Sequence, residues 1–247
     1  MEFLGIDIGG SGIKAAPVDT ESGRLTADRA RVPTPESGRP DAIIHVIGEL
    51  VHHFDWTGPI GCAFPARIKE GIVQTATNVG GAFIGLDFGA AVSDAIGLPV
   101  STLNDADAAG LAEMTFGAGR ERRDLVLMLT IGTGIGTALF VNGTLVPNTE
   151  LGHVDVGGKV GEDYASDRVR ETRDLSWKKW AKRLQNYLDR IEFLLSPDLI
   201  ILGGGVSRPD RAGEFMPLLK TEAELVPAQL ANHAGIVGAA LYAARRA

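Results

Sequence analysis

The chain is poor in cysteine. It has one, Cys62, in 247 residues, so no internal disulfide can form and a cysteine-rich zinc site is excluded. That usage fits a reducing compartment, the cytoplasm. It also lacks a basic excess. Lys and Arg number 24 against 31 Asp and Glu, a net charge of −7, where a nucleic-acid binder carries a positive face. No nucleic-acid partner is expected. The N-terminus "MEFLGIDIGG" has neither a basic segment nor a long apolar one, so no secretory signal is visible. The uncharged run Leu125–Val141 is seventeen residues long. That is short for a membrane span, and Gly and Thr interrupt its centre; two buried strands around a turn account for it better. Linker-like and low-complexity stretches are missing too. With 45% hydrophobic and 22% charged residues, the composition is that of an ordinary globular protein.

What the chain has in quantity is glycine, 32 residues, and much of it stands in turns after apolar strands. "FLGIDIGGSGIKAAPVD" reads strand, glycine turn, strand, and "LMLTIGTGIGTALFV" repeats that pattern about half a chain later. Asp7-Ile8-Gly9 aligns with Thr130-Ile131-Gly132, and the segments around Gly23 and Gly143 both read as hairpin turns. Two related lobes follow, each opening with a hairpin. Between and after the hairpins, strand and helix signals alternate. Apolar residues at Ile43, Ile44, Ile47, Leu50, Val51 and Phe54 have a helical period, as do Trp177, Trp180, Ala181, Leu184, Leu188, Ile191 and Leu195. "PIGCAFP", "PVSTL" and "PDLIILG" read as strands and "IVQTAT" alternates. Helices are expected over "LDFGAAVSDAIG", "ADAAGLAEMTFG" and "NHAGIVGAALYAARR". The pattern is that of an α/β fold with central sheets. The expected lobes are residues 1–110, with a final helix at 233–247 packing back on them, and 111–232.

Three glycine turns stand directly after apolar strands: "DIGGSG" (Asp7, Gly9, Gly10, Ser11, Gly12), "IGTGIG" (Gly132, Thr133, Gly134) and "LGGGVS" (Gly204, Gly205). Glycine lets backbone N–H groups come close to an anion. One such turn is more often only a tight turn; three point to a polyphosphate ligand. G-x-x-x-x-G-K-[ST] does not occur, and "GTGIGTALF" runs into a strand, so neither a P-loop nor a dinucleotide fingerprint fits. Two phosphate-gripping hairpins on either side of a cleft remain.

These residues resemble the ROK family of sugar kinases, within the actin/hexokinase/Hsp70 superfamily, over nearly the whole chain. "GIDIGGSGIK" and "TIGTGIGTALF" are similar to the family's two phosphate motifs, "LNDADAA" to its Asn-Asp motif, "ELGH" to its sugar-binding Glu-x-Gly-His and "LGGGVS" to its adenosine motif. "VPNTELGH", "EDYAS" and "VPAQLANHAGIVGAA" narrow the resemblance to the bacterial polyphosphate glucokinase and glucomannokinase branch. Many ROK proteins follow Glu-x-Gly-His with a cysteine-rich zinc loop; "HVDVGGKVGEDYAS" has no cysteine, so no zinc is expected. The sequence also departs from that branch after Asn78, where Gly80, Gly81 and Phe83 replace a charged and aromatic pair. The first strand starts at residue 3, so the helix-turn-helix of the family's repressors is not expected.

The resemblance implies a two-lobed, ribonuclease-H-like fold of the actin/hexokinase type with a central cleft. It implies phosphoryl transfer from polyphosphate, ATP or both to the 6-hydroxyl of glucose, with mannose a second candidate sugar. It makes Asp105 the general base and Asn78, Asn104, Asp105, Glu150, His153 and Glu162 the sugar ligands. Asp7 would orient Mg²⁺ through water, Lys14 would neutralise phosphate, and the protein would be a homodimer. Competing readings stay open at this stage. Asp105 can be a helix cap, and Asp107, one turn into the helix, reads better as a dipole-favoured carboxylate than as a catalyst. Polyphosphate would want a basic track; "RERR" at 120–123 and Lys178, Lys179, Lys182 and Arg183 are candidates, with a solvated helix face the default for the second. An ATP-only kinase of another hexose or amino sugar, and a non-catalytic sugar sensor, are the alternatives.

Overall fold

The structure, a computed structural model, describes residues 1–75 and 80–247. It divides into two compact units, residues 1–112 with 233–247, and residues 113–232.

The first unit opens with β1 (Glu2–Gly9) and β2 (Gly12–Asp19), an antiparallel hairpin continued by β3 (Arg24–Leu25) and β4 (Ala30–Val32), both paired to β2. Helix α1 (Pro40–His53) follows, with Pro40 at its first turn, where a missing N–H costs nothing. Then come β5 (Ile60–Phe64), the short hairpin of β6 (Ile68–Lys69) and β7 (Ile72–Val73), α2 (Phe88–Ile96), β8 (Val100–Asn104) and α3 (Asp105–Phe116). Only Ile72–Val73 of the alternating "IVQTAT" is strand among the described residues. Helix α2 is capped by the Asp87 carboxylate at the Ala90 N–H and ends on Gly97 at φ 73°, a left-handed C-terminal stop. The sheet order is β3-β2-β1-β5-β8, with β1, β5 and β8 parallel.

The second unit contains β9 (Leu125–Ile131), β10 (Ile135–Val141), β11 (Thr144–Val146), α4 (Gly161–Ala165), α5 (Asp167–Thr172), α6 (Trp177–Leu195), β12 (Leu199–Gly204), α7 (Pro209–Phe215) and β13 (Glu224–Pro227). The uncharged run 125–141 is thus a hairpin of two largely buried strands. Its sheet runs β11-β10-β9-β12-β13, with β9, β12 and β13 parallel. Hairpin first, then two parallel strands on the far side: each unit repeats the other's plan, as the sequence echo predicts. The turn at Asn142-Gly143 has positive φ at both residues, the type I′ geometry that suits strand twist.

Helix α6 buries Trp180, Ala181, Leu184, Tyr187, Leu188 and Ile191 on its sheet-facing stripe. At about 1.5–3 kcal/mol for each large apolar side chain, this stripe is a main source of the unit's cohesion. Helix α8 (Ala234–Ala244) returns to the first unit and is buried nearly all round. It lies hard against the sheet because Gly5 and Gly61 carry no side chain: a Cβ there would overlap the carbonyls of Ile236 and Ala239.

Candidate active site

In the first unit the parallel strands end together. The register sets Asp7 beside Ala63 and Phe64 beside Asn104, so Asp7, the Pro65-Ala66 segment and Asn104-Asp105 stand at one carboxyl end of the sheet, where open α/β sheets hold ligands. Asp7 Oδ2 accepts from Lys14 Nζ at 3.1 Å, both side chains being mostly buried. Asn104 is the cap of α3. Its Oδ1 accepts the N–H groups of Ala106 at 2.9 Å and Asp107 at 3.0 Å, and its Nδ2 donates to Ala66 O at 3.1 Å. The capping role that the sequence left open for Asp105 thus falls chiefly to Asn104. Asp105, at the first helical position, is half-buried, with Oδ1 accepting from the Ala106 N–H at 2.9 Å. Asp107 is 2% exposed and close enough to Tyr242 for its charge to help hold that phenol's pKa up, burial being the larger cause. Asn78 lies outside the described residues.

The second unit brings Glu150, His153 and Glu162 together. His153 Nδ1 is 3.6 Å from Glu150 Oε2, and its Nε2 is 3.7 Å from Glu162 Oε1. The imidazole therefore sits between two carboxylates, a set that can both donate to and accept from hydroxyl groups. Val156 is buried and Val154 packs on the core, with His153 and Asp155 exposed, the alternation expected of "HVDV". Three residues that the sequence does not single out fix this set. Thr137 and Thr149 exchange hydrogen bonds of 2.7–3.1 Å, and Thr137 also accepts from the Leu151 N–H at 3.2 Å. Tyr187 Oη donates to Leu151 O at 3.2 Å. The detectable signal for Tyr187 is its place in the helical stripe of α6.

Glu162 also reaches the second glycine turn. Its Oε2 accepts from the Ile135 N–H at 3.1 Å, and a Cβ on Gly134 would overlap that oxygen. The turn is held besides by Gly132 N–H to Gly134 O at 3.0 Å and Arg168 N–H to Gly132 O at 3.1 Å. Thr133 is exposed at its tip. The third turn stands next to the second, since Gly204 pairs with Ile131 across β12 and β9. Gly204 has φ 81° and ψ −164°, a conformation essentially confined to glycine. Beside these turns Asp167 is gripped by Arg170 at 2.6 Å and Arg211 at 3.2 Å.

Within the basic run at 120–123, Arg122 is neutralised by carboxylates. Arg122 pairs with Asp124 and Glu224, each at 2.7 Å, and its hydrogen bonds hold the Asp124 carboxyl below the usual range. On α6, Arg183 donates to Tyr164 O at 3.3 Å and lies over the Tyr164 ring. Lys178 and Lys182 line a groove with Gln185 and Leu218. Among the described residues no group of three or more His, Cys, Asp or Glu could hold a metal ion, and no helix is long and apolar enough to cross a membrane.

Paired α/β units, each opening with a glycine-turned hairpin, are the architecture of the actin/hexokinase class. The pattern that defines the ROK family matches residues 3–173, and the chain belongs to the ROK family. It is 48% identical over 239 residues to the polyphosphate glucokinase of Mycobacterium tuberculosis (strain ATCC 25618 / H37Rv), spanning 96% of this chain and 89% of that one. The crystal structure of the inorganic polyphosphate/ATP-glucomannokinase from Arthrobacter sp. strain KM matches with a TM-score of 0.96 at 43% identity, covering 100% of this chain and 99% of that one. The ROK family glucokinase of Streptomyces griseus, in complex with glucose and AMPPNP, matches with a TM-score of 0.83 at 25% identity, covering 99% and 100%.

Proposed function

We propose that the protein transfers a phosphoryl group from inorganic polyphosphate or ATP to the 6-hydroxyl of glucose, with mannose as a second acceptor. The observation that carries this reading is the full-length similarity, at 48% and 43% identity, to a polyphosphate glucokinase and a polyphosphate/ATP-glucomannokinase. The local geometry supports it from the residues upward. A sugar hydroxyl is a poor nucleophile at neutral pH, and a placed carboxylate that takes its proton is worth about 10²–10⁴ in rate. Asp105 is assigned that role. The Asn104 cap fixes the backbone from which Asp105 projects, and the bond to Ala66 ties that cap to the end of β5. With Oδ1 holding two backbone N–H groups, Asn104 keeps only one Nδ2 hydrogen for a sugar hydroxyl. Glu150, His153 and Glu162 hold the remaining hydroxyls. The glycine turns grip the donor, so catalysis is mainly positioning and charge stabilisation.

Mg²⁺ bound to the donor's phosphates neutralises charge there. A single carboxylate paired to Lys14 suits outer-sphere contact through water, and Asp7 offers just that. The protein is assigned to the cytoplasm and to glycolytic sugar entry. It is proposed to act as a homodimer, a state supported by the family resemblance and by the exposed Phe193 and Leu194. Sedimentation analysis tests the last point. The function is tested by a coupled assay with a panel of sugars against polyphosphate and ATP. Glucose 6-phosphate from either donor is the expected product; glucose binding without transfer from any donor would overturn the reading in favour of a sugar sensor.

A further inference from the structure

The first glycine turn is built from more than its own residues. β4 pairs with β2 so that Arg31 stands opposite Lys14, and this segment lays two donors on the turn. Arg31 Nη2 donates to Ser11 O at 2.8 Å, and Thr34 Oγ1 donates to Gly9 O at 2.5 Å. A peptide plane sends its carbonyl and the following N–H in opposite directions. Holding Gly9 O on Thr34 therefore turns the Gly10 N–H away from that bond. Among the described residues neither the Gly10 nor the Ser11 N–H has a hydrogen-bond partner. Gly10 is exposed, with open space where a Cβ would stand. Successive unpaired N–H groups of this kind form an anion-binding concavity.

The charges at the turn are arranged unequally. The Lys14 ammonium is already paired with Asp7. Arg31 forms no ion pair with a carboxylate among the described residues, and one bond to Ser11 O leaves most of its N–H groups uncommitted. Gly12 makes room for it: a Cβ at that position would stand 2.7 Å from Arg31 Nε. A guanidinium that is anchored, unneutralised and beside vacant backbone donors matches the geometry of phosphate oxygens, which it can bind in a bidentate way.

We propose that Arg31 contacts the condensed-phosphate chain of the phosphoryl donor, completing a cradle with the N–H groups of Gly10 and Ser11. This rests on the reading of the first glycine turn as a donor site. Arg31→Met keeps the side chain's apolar stem and removes the charge. Its kcat/KM for polyphosphate or ATP at saturating glucose falls on the order of tenfold to a hundredfold, the range for one charge-assisted hydrogen bond. The KM for glucose stays within about twofold of the parent. The salt dependence of polyphosphate kcat/KM becomes shallower, which a residue that merely braces Ser11 would not produce. Arg31→Lys recovers part of the loss. Loss with both donors supports contact with phosphates common to them, and loss with polyphosphate alone supports contact further along the chain. Unchanged donor constants in Arg31→Met overturn the proposal. Lys14→Met, measured in parallel, separates the two levels. If it weakens donor use while Arg31→Met does not, the donor site stands and the role of Arg31 falls. If neither variant alters any donor constant, both fall.

Discussion

Gly134→Ala places one methyl group against the Glu162 carboxylate. That carboxylate is nearly buried, at 9% residue exposure, and its Oε2 holds the Ile135 N–H at 3.1 Å. A Cβ at position 134 occupies the space of that oxygen. The side chain has to retract, so the charge-assisted bond is lost and the Ile135 N–H loses its partner, at a cost of about 1.5–3 kcal/mol. Because the other oxygen faces His153 at 3.7 Å, the same shift disturbs the Glu150–His153–Glu162 set. If that set grips glucose in the transition state, kcat/KM for glucose falls about tenfold to a hundredfold. The melting temperature falls by roughly 3–12 °C, at about 2–4 °C per kcal/mol for a protein of this size. Steady-state kinetics and calorimetry on Gly134→Ala, Glu162→Gln and the double variant make the test. Once Glu162 is neutral the methyl group should cost less, so the two effects couple by at least about 0.5 kcal/mol. Strict additivity, or wild-type constants in Gly134→Ala, would refute the link between turn and carboxylate.

Asp105→Asn should abolish transfer, about 10²–10⁴ in kcat, while glucose binding measured by tryptophan fluorescence survives; Asp107→Asn should keep turnover, and equal damage from the two would sink the assignment of the base. Glu113 is fully buried and accepts the N–H groups of Ala118, Gln229 and Leu230 at 2.7–2.9 Å. Glu113→Ala strands all three and should cost about 3–5 kcal/mol, seen as a melting temperature roughly 10 °C lower with near-normal kinetics in the cold. Burial and the neighbouring Arg29 charge hold the His233 pKa below its ordinary value. The unfolded chain then binds the extra proton more readily, so this contribution to stability is full above the unfolded pKa and is lost as pH falls through the folded one. Urea midpoints between pH 8 and 5 should decline less steeply in His233→Gln, and an unaltered slope would remove His233 from the account.

How far the sequence reveals this molecule depends on how locally each feature is encoded. The hairpins, α1, α2, α6 and the parallel strands follow from periodicity and turn residues close in the chain. Gly97 ends α2 and Asn142-Gly143 turns the β10–β11 hairpin, both with the positive φ those motifs require. The short β13, α4, α5 and α7 carry no comparable pattern and are held by packing. Asn104 shows the limit in a single residue. Next to Asp105 it reads as a sugar ligand, but no local signal shows that its oxygen also caps α3 and that one of its two amide hydrogens goes to Ala66, 38 positions away. Thr137 and Thr149, Tyr187 and Leu151, and Glu113 with Gln229 are likewise partners distant in sequence, and no local signal announces them.

The repeat between the two units sharpens the point. Both hairpins have the same strand order and the same kind of glycine turn, so glycine spacing alone makes the turns look interchangeable. Their charges are not. The first turn is flanked by Lys14 and, through the pairing of β4 with β2, by Arg31. The second is braced from within its own unit by the Glu162 carboxylate, which takes up one of its N–H groups. A carboxylate at that place lowers the turn's attraction for phosphate and ties it to the Glu150–His153–Glu162 set. A guanidinium at the first turn raises that attraction. The duplicated scaffold thus carries two different chemistries, and what separates them is supplied by residues 20 and 27 positions from the turn residues they bond.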